Sequence, residues 1–213
     1  TLNLERLSLI CPRANRLNLS IGLQCLNQVL PQFDVNLLKD PRIKAAIAIN
    51  PLTSLVFGPE GMATIKVPTM VIGSSRDLVT PLVPEQMHPF LWLKTPEKYL
   101  GVVVPSGHTA ADATGGDTNP LPDSIAATIS GPAPALAREY IRALSLVFMQ
   151  TYIGDRPEYR SYLNAAYARS ISRAPLELNL IQSLTPTQLE QAYGGSPPIP
   201  IFPAPLPSAA AGK

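Results

Sequence analysis

Two ionisable side chains follow consecutive strand-like segments of this sequence. Asp77 comes after VPTMVIGSSR, and His108 comes after YLGVVVPSG. An imidazole can take the proton from a nucleophile, while a carboxylate fixes the tautomer of the imidazole and stabilises the imidazolium. Gly73 and Gly107 permit tight exits from the two segments, so the loops can lie side by side. The residue types, their order and their placement therefore predict the acid and the general base of a hydrolytic triad.

A plainer interpretation of the same residues stays open. Asp77 would only cap the turn that follows it, and His108 would be an ordinary loop residue. The other histidine, His88, lies within PEQMHPF, where packing or solvent exposure is the expected role. No G-x-S-x-G sequence occurs, and neither Ser74 nor Ser75 lies on a glycine-flanked elbow between a strand and a helix. The sequence therefore offers no nucleophile for this pair.

The elements that would position Asp77 and His108 are three predicted strands. They are the apolar segments 43–50, 64–73 and 99–104. Residues 84–95 form the crossover that parallel neighbours require. The predicted fold class is therefore α/β, with about three parallel strands flanked by helices and a ligand site at their carboxyl ends.

Helical periodicity and turn residues organise the remainder of the chain. Residues 112–135 are predicted to be an irregular loop, whereas 136–153 and 157–171 are predicted helices. A capping box is expected at Thr185 and Gln188, with Pro186 as the first helical residue. The predicted segments are a helical part at 1–40, the α/β part at 41–155, a helical extension at 156–195 and a proline-rich flexible tail at 196–213.

The composition argues against several classes of function. The net charge is only +2 and the basic residues are scattered, so no nucleic-acid-binding surface is predicted. No apolar run reaches the roughly 18 residues that a membrane-spanning helix needs, so no transmembrane segment is predicted. There is no ligand cluster for a metal, and neither a metal nor an organic cofactor is expected.

Cys11 and Cys25 are the two cysteines of the chain. A disulfide between them would close a loop of about 15 residues, worth about 3 kcal/mol in the chain-entropy model. Two reduced, buried cysteines are the alternative, because a disulfide persists only in an oxidising compartment. The pair favours an exported or periplasmic protein.

Several segments of the sequence resemble the C-terminal half of bacterial α/β-hydrolases. The similar group comprises dienelactone hydrolase-like, platelet-activating-factor acetylhydrolase and cutinase-like proteins. The resemblance covers roughly residues 40–165 and is carried by DPRIKAAIAINP, VPTMVIGSSRDLVTP, MHPF, SGHTAAD and GDRPEYRSYL. It implies the α/β-hydrolase fold, with Asp77 as the triad acid and His108 as the general base.

The resemblance also implies what this chain lacks. In the family the nucleophilic serine lies upstream of the segment that matches Thr1, so we expect a C-terminal part of a longer hydrolase that is inactive alone. Its partner would be the N-terminal half of the same enzyme, and its substrate a small or lipid-like carboxylic ester. An apolar set of loop residues supports that substrate class: Leu52, Leu55, Val56, Phe57, Phe90 and Trp92. A non-catalytic binding or assembly module of the same fold is the alternative.

Overall fold

The computed structural model describes residues 2–13, 19–26, 40–108 and 123–192. The chain divides into two compact units, residues 1–183 and 184–213. The first unit contains a four-stranded sheet with helices packed against it. The predicted α/β class is therefore confirmed. The boundary between the units falls inside the helical extension that the sequence predicted for 156–195.

The sheet is mostly parallel and has the strand order β1-β2-β3-β4. Its strands are β1 (Ala46–Ile49), β2 (Thr69–Ser74), β3 (Lys98–Val104) and β4 (Glu177–Ile181). The first three are parallel, with Ile49 opposite Ile72 and Ser74 opposite Val103. All three predicted strands are present, but β2 begins later than predicted because residue 64 still caps a helix.

The fourth strand corrects the prediction for residues 156–195. β4 pairs antiparallel with β3, with Leu178 opposite Val103 and Leu180 opposite Gly101. Leu178 and Leu180 are buried, whereas Glu177 and Asn179, which alternate with them, are exposed. This alternation is typical of an edge strand with one face in water. The predicted helical extension is therefore two helical segments, a strand and a further helix.

Helices precede, separate and follow the strands along the sequence. They are α1 (Leu4–Ile10), α2 (Leu19–Cys25), α3 (Gly58–Ala63), α4 (His88–Trp92), α5 (Asp123–Ser130), α6 (Pro134–Tyr152), α7 (Ala165–Ile171) and α8 (Pro186–Ala192). A π-helical turn, Val83–Met87, precedes α4, and a 3₁₀ helix, Pro157–Tyr162, precedes α7.

Two predictions for segments outside the sheet were wrong, one for a loop and one for a helix. Part of the predicted loop 112–135 is helix α5, and residues 112–122 lie outside the described part. The single helix predicted for 157–171 is divided, because the Asn164 side chain accepts hydrogen bonds from the amides of Ala166 and Tyr167 and so starts α7 anew. The long helix predicted for 136–153 is confirmed as α6.

The main core lies between one face of the sheet and α6. Its buried members include Met70, Ile72, Tyr99, Val103, Ala137, Tyr140, Leu144, Phe148, Leu178 and Leu180. Gly101 lets α6 approach, since a Cβ there would lie 3.1 Å from Cδ1 of Leu144. On β2 all six residues are buried, as expected for a strand covered on both faces.

Cys11 and Cys25 form a disulfide that joins the end of α1 to the end of α2. Of the two alternatives for the cysteines, the structure therefore has the bridge. Arg6 of α1 adds an ion pair with Glu60 of α3, at 2.7 Å. Residues 27–39 of the predicted N-terminal helical part lie outside the described residues.

The second unit contains α8. Its start has the predicted capping box: the Gln188 amide donates to Oγ1 of Thr185, and the Thr185 amide donates to Oε1 of Gln188. Pro186 is the first residue of the helix, as predicted. The proline-rich segment 196–213 lies outside the described residues.

Candidate functional site

Three polar side chains lie just after the carboxyl ends of the three parallel strands. Asn50 directly follows β1, Asp77 follows β2, and His108 follows β3. Parallel strands end at the same edge of a sheet, so the side chains that follow them meet there. The structure brings Asp77 and His108 together, as the sequence predicted.

Asp77 and His108 are in hydrogen-bonding contact. Nδ1 of His108 lies 2.9 Å from Oδ2 of Asp77. The Asp77 side chain is 0% exposed, whereas that of His108 is 32% exposed. A carboxylate can only accept, so Nδ1 carries the hydrogen and Nε2 is left as the basic nitrogen. The imidazole is therefore in the tautomer that a general base needs.

The Asp77 carboxylate is held on both oxygens. Oδ1 accepts from the amides of Val79 and Thr80, at 2.8 and 2.7 Å. Oδ2 accepts from the Thr80 hydroxyl at 2.7 Å and from Nδ2 of Asn50 at 2.6 Å, besides facing His108. The two interpretations of Asp77 thus coexist, because one carboxylate both caps the following turn and contacts the imidazole.

The charge state of Asp77 follows from these contacts. Burial opposes ionisation, but the hydrogen bonds from His108 and Thr80 outweigh it, so the pKa of Asp77 lies below its ordinary value. The aspartate is therefore an anion over the neutral pH range, as a residue that stabilises an imidazolium must be.

The acid loop and the histidine loop are joined through their backbones. The Ser75 amide donates to the Val103 carbonyl, and the Arg76 amide donates to the Ser106 carbonyl at 2.8 Å. Gly107 allows a further close approach, because its amide bonds to Ser130 and a Cβ there would lie 1.8 Å from the Ile129 carbonyl oxygen. The end of α5 thus packs directly against the histidine loop.

The loop after β1 is held by a buried carboxylate in the crossover. Glu85 is 1% exposed, and its Oε2 accepts from the amides of Thr53 and Ser54, at 2.9 and 3.0 Å. Its Oε1 accepts from the Ser54 hydroxyl and from Nε2 of Gln24. The Gln24 side chain in turn accepts from the amides of Leu55 and Val56. This network fixes the loop that begins at Asn50.

Sequence reasoning missed Asn50 and Thr80 as site residues. The available signals were a polar residue at the end of an apolar run and a hydroxyl three residues after the acid. Both side chains are buried, at 5% and 1% exposure, and both contact Oδ2 of Asp77. Burial of a short polar side chain cannot be read from spacing alone, so neither residue stood out.

The described residues include no serine that hydrogen-bonds to His108. The hydroxyl in contact with the imidazole is that of Thr80, and it approaches Nδ1 at 3.2 Å, the nitrogen already facing Asp77. Ser74 is buried and Ser75 is exposed. Neither of these serines thus contacts the imidazole in the described structure, and the prediction that neither is the nucleophile stays a prediction.

His88 and two of the predicted apolar loop residues are surrounded by other side chains. His88 is partly buried beside Trp92, with ring centroids 6.3 Å apart, and burial lowers its pKa while the charge of Glu85 opposes this. Leu55 and Phe90 are fully buried. These two side chains therefore belong to the core of the described structure.

A concave surface is lined by residues other than Asp77 and His108. This open groove of about 720 Å³ is formed by α6, the 3₁₀ helix and α7, and its lining includes Leu146, Val147, Arg156, Tyr159, Tyr162 and Tyr167. The catalytic chemistry predicted from the sequence does not involve this groove, because its lining holds no acid–imidazole pair.

Two further features of the described residues bear on partners. None of their His, Cys, Asp and Glu side chains form a group of three or more that could hold a metal ion. Over the same residues, none of the helices has the length and apolar character needed to cross a membrane.

Comparison with known proteins adds no assignment. No family model matches the chain, and no curated protein matches it.

Proposed function

We propose that this chain is part of a serine hydrolase of the α/β-hydrolase fold that cleaves carboxylic esters. The observation that carries the proposal is the contact between Nδ1 of His108 and Oδ2 of Asp77 at the carboxyl ends of adjacent parallel strands. The buried carboxylate and the partly exposed imidazole match the acid and base of a triad in chemistry, order and tautomer.

In this mechanism Nε2 of His108 takes the proton of a serine hydroxyl as its oxygen attacks the ester carbonyl. The imidazolium returns that proton to the departing alkoxide, so the ester C–O bond breaks and an acyl-enzyme remains. Water, deprotonated by the same nitrogen, then releases the acid and restores the serine. Asp77 remains ionised throughout and stabilises the imidazolium.

The serine is proposed to come from a segment upstream of this chain, as the resemblance to bacterial α/β-hydrolases implies. One edge of the sheet supports this. Among the described residues, no strand pairs with the edge of β1 that faces away from β2. A parallel strand added there would end beside Asn50, at the same edge of the sheet as His108.

Substitution of the pair in the full-length protein tests the proposal. His108→Ala and Asp77→Asn should each lower ester turnover by about 10³-fold or more, because triad members act as a unit. Tyr152→Phe is a matched control: its hydroxyl donates to Glu97, beside the amino end of β3, and the variant should retain activity. Near-normal turnover in either triad variant would refute the assignment.

Labelling by a serine-directed fluorophosphonate separates the enzyme from its alternative. Stoichiometric labelling of the full-length protein that His108→Ala abolishes supports the hydrolase. Absence of labelling favours a non-catalytic binding or assembly module with the same fold.

Two further parts of the proposal concern the substrate and the location of the protein. The substrate is proposed to be a small or lipid-like ester, on the strength of the family resemblance. The Cys11–Cys25 disulfide supports an exported or periplasmic location, since such bonds persist in oxidising compartments.

A further inference from the structure

Asn50 has an unusual backbone conformation and a buried side chain. Its φ is 44°, in the left-handed region that asparagine tolerates better than most residues. Its backbone amide donates to the Ile72 carbonyl at 2.8 Å, which extends the pairing of β1 with β2 by one residue. The side chain is thus fixed at the end of β1, where it faces the loop after β2.

The side-chain amide of Asn50 makes one of the shortest contacts of the Asp77 carboxylate. Nδ2 lies 2.6 Å from Oδ2 of Asp77, the oxygen that also faces Nδ1 of His108. Because an ionised carboxylate only accepts, the amide must present its nitrogen to Asp77. Oδ1 of Asn50 then points elsewhere, and it is buried with no hydrogen-bond partner among the residues that the structure describes.

We propose that Asn50 is a positioning residue for the Asp77–His108 pair. This inference rests on the proposed hydrolase function of that pair. Apart from His108 itself, the other donors to Asp77 are Thr80 and Val79, which belong to its own loop. Asn50 comes from another strand, so it fixes the carboxylate relative to the sheet and thereby directs the imidazole.

The burial of Oδ1 shows what this arrangement costs. A buried carbonyl oxygen with no partner loses its hydration without replacement, which is unfavourable. A residue selected only for its backbone conformation could be glycine, which adopts this φ without strain and has no polar side chain to bury. The amide is therefore explained by its contact with Asp77 and not by the left-handed backbone.

Two substitutions separate a backbone role from a positioning role. Asn50→Gly keeps the left-handed conformation and removes the amide. Asn50→Asp keeps the shape and also tolerates this φ, but it replaces the donor by a second carboxylate facing Asp77. If only the backbone mattered, both variants would resemble the wild type.

The first measurement is the low-field proton NMR signal of the hydrogen on Nδ1 of His108, in this chain without substrate. The chain has two histidines, so a His88→Gln variant assigns the signal. Asp77→Asn should abolish it. In Asn50→Gly we expect this proton to exchange with water about five- to tenfold faster, as for the loss of one net hydrogen bond. An unchanged exchange rate would overturn the proposal.

The second measurement is the stability of Asn50→Asp against pH. Two carboxyl groups in contact share a proton, so one of them titrates at raised pH in the folded state only. A carboxyl group whose pKa is raised in the folded state contributes stability at low pH, and this contribution is lost as the pH rises through that pKa. Relative to wild type, the unfolding equilibrium constant of Asn50→Asp should therefore rise between pH 5 and pH 8. The rise should be about tenfold for each unit by which folding raises the pKa of the shared proton.

The outcomes keep the two proposals apart. If Asn50→Gly does not fold, the pH series of Asn50→Asp decides, and equal stability to wild type at both pH values contradicts the positioning role. Neither measurement needs ester turnover. A full-length protein that lacks esterase activity would therefore defeat the hydrolase proposal while these readouts still tested how Asn50 acts on the pair.

Discussion

Asp77 combines two roles, because Oδ1 caps the following turn and Oδ2 faces the imidazole. It accepts from the backbone of its own turn and from side chains of two other loops. The sequence predicted its contact with His108, because acid and histidine follow neighbouring strands in the order of a hydrolase. The contribution of Asn50 could not be predicted, since it depends on the register that places residue 50 beside the acid loop.

The lowered pKa of Asp77 predicts how acid destabilises the protein. A folded-state pKa below the ordinary value of 3.8 means that the unfolded chain binds more protons, so this carboxylate stabilises the fold above that pH and ceases to do so as pH falls below it. We therefore expect the difference in unfolding free energy between wild type and Asp77→Asn to be largest above about pH 5 and to shrink towards pH 2.

Urea unfolding of both proteins over this range provides the measurement. The pKa of Glu97 is also lowered, by its hydrogen bonds with Tyr152 and Arg160, and that of Asp40 is lowered by its hydrogen bonds with Arg42. Both groups are present in the wild type and in Asp77→Asn. Their effect cancels in the difference. A difference that stays constant with pH would show that Asp77 is not preferentially stabilised as an anion in the folded state.

At the scale of elements, parallel strands were easier to predict than the antiparallel one. The strands β1, β2 and β3 are near-continuous apolar runs between turn residues, a pattern that helices seldom share at that length. In contrast, β4 is a short segment, ELNLI, in which Leu178 and Leu180 alternate with polar residues. This period of two is a strand signal that the prediction of a helical extension overlooked, because the segment has only five residues and lies between two helical segments.

Helix α5 illustrates a second kind of element that spacing could not place. Its sequence, DSIAATIS, lies within a region rich in turn-forming residues. Its end is fixed against the histidine loop by the hydrogen bond between Gly107 and Ser130. This contact joins parts of the chain far apart in sequence, and only the absence of a side chain at residue 107 permits it.

Gly107→Ala should therefore destabilise the protein and displace α5 from the histidine loop. The added Cβ would lie 1.8 Å from a backbone oxygen, which cannot rotate away. We expect a loss of about 1–3 kcal/mol in unfolding free energy, as for overpacking elsewhere, with faster amide exchange in α5.

Gly101→Ala is the matched control for this prediction. Its Cβ would meet Cδ1 of Leu144 at 3.1 Å, and a leucine side chain can adjust by a few tenths of an ångström. The loss should be smaller, and α5 should exchange as in wild type. Equal losses in the two variants would contradict the argument from the close backbone contact.

At the scale of the whole molecule, the N-terminal helices depend on long-range connections. The disulfide joins α1 to α2, and Gln24, next to Cys25, reaches the buried Glu85. Two seven-residue helices are too short to be stable alone in water. The sequence indicated the helices and the cysteine pair, but the burial of Gln24 against Glu85 arises only in the folded chain.

Removal of the disulfide should accordingly lower the stability of the first unit. With a sequence separation of 14, the chain-entropy model predicts a loss of about 3 kcal/mol. Urea unfolding with and without reductant measures it. The double variant Cys11→Ser, Cys25→Ser should be less stable and indifferent to reductant. Equal midpoints for the oxidised and reduced wild type would contradict the prediction.

The unpaired edge of β1 also has a consequence for the behaviour of the isolated chain. Among the described residues β4, the strand at the opposite edge, also lacks a partner on its outer side, but it carries the exposed polar residues Glu177 and Asn179, and a charged side chain on an edge strand opposes pairing with another chain. In the described residues β1 has hydrogen-bonding groups on one side without a strand, next to partly buried apolar side chains. Such edges template association between copies. If the isolated chain self-associates, we therefore expect the pairing to begin at β1 and not at β4.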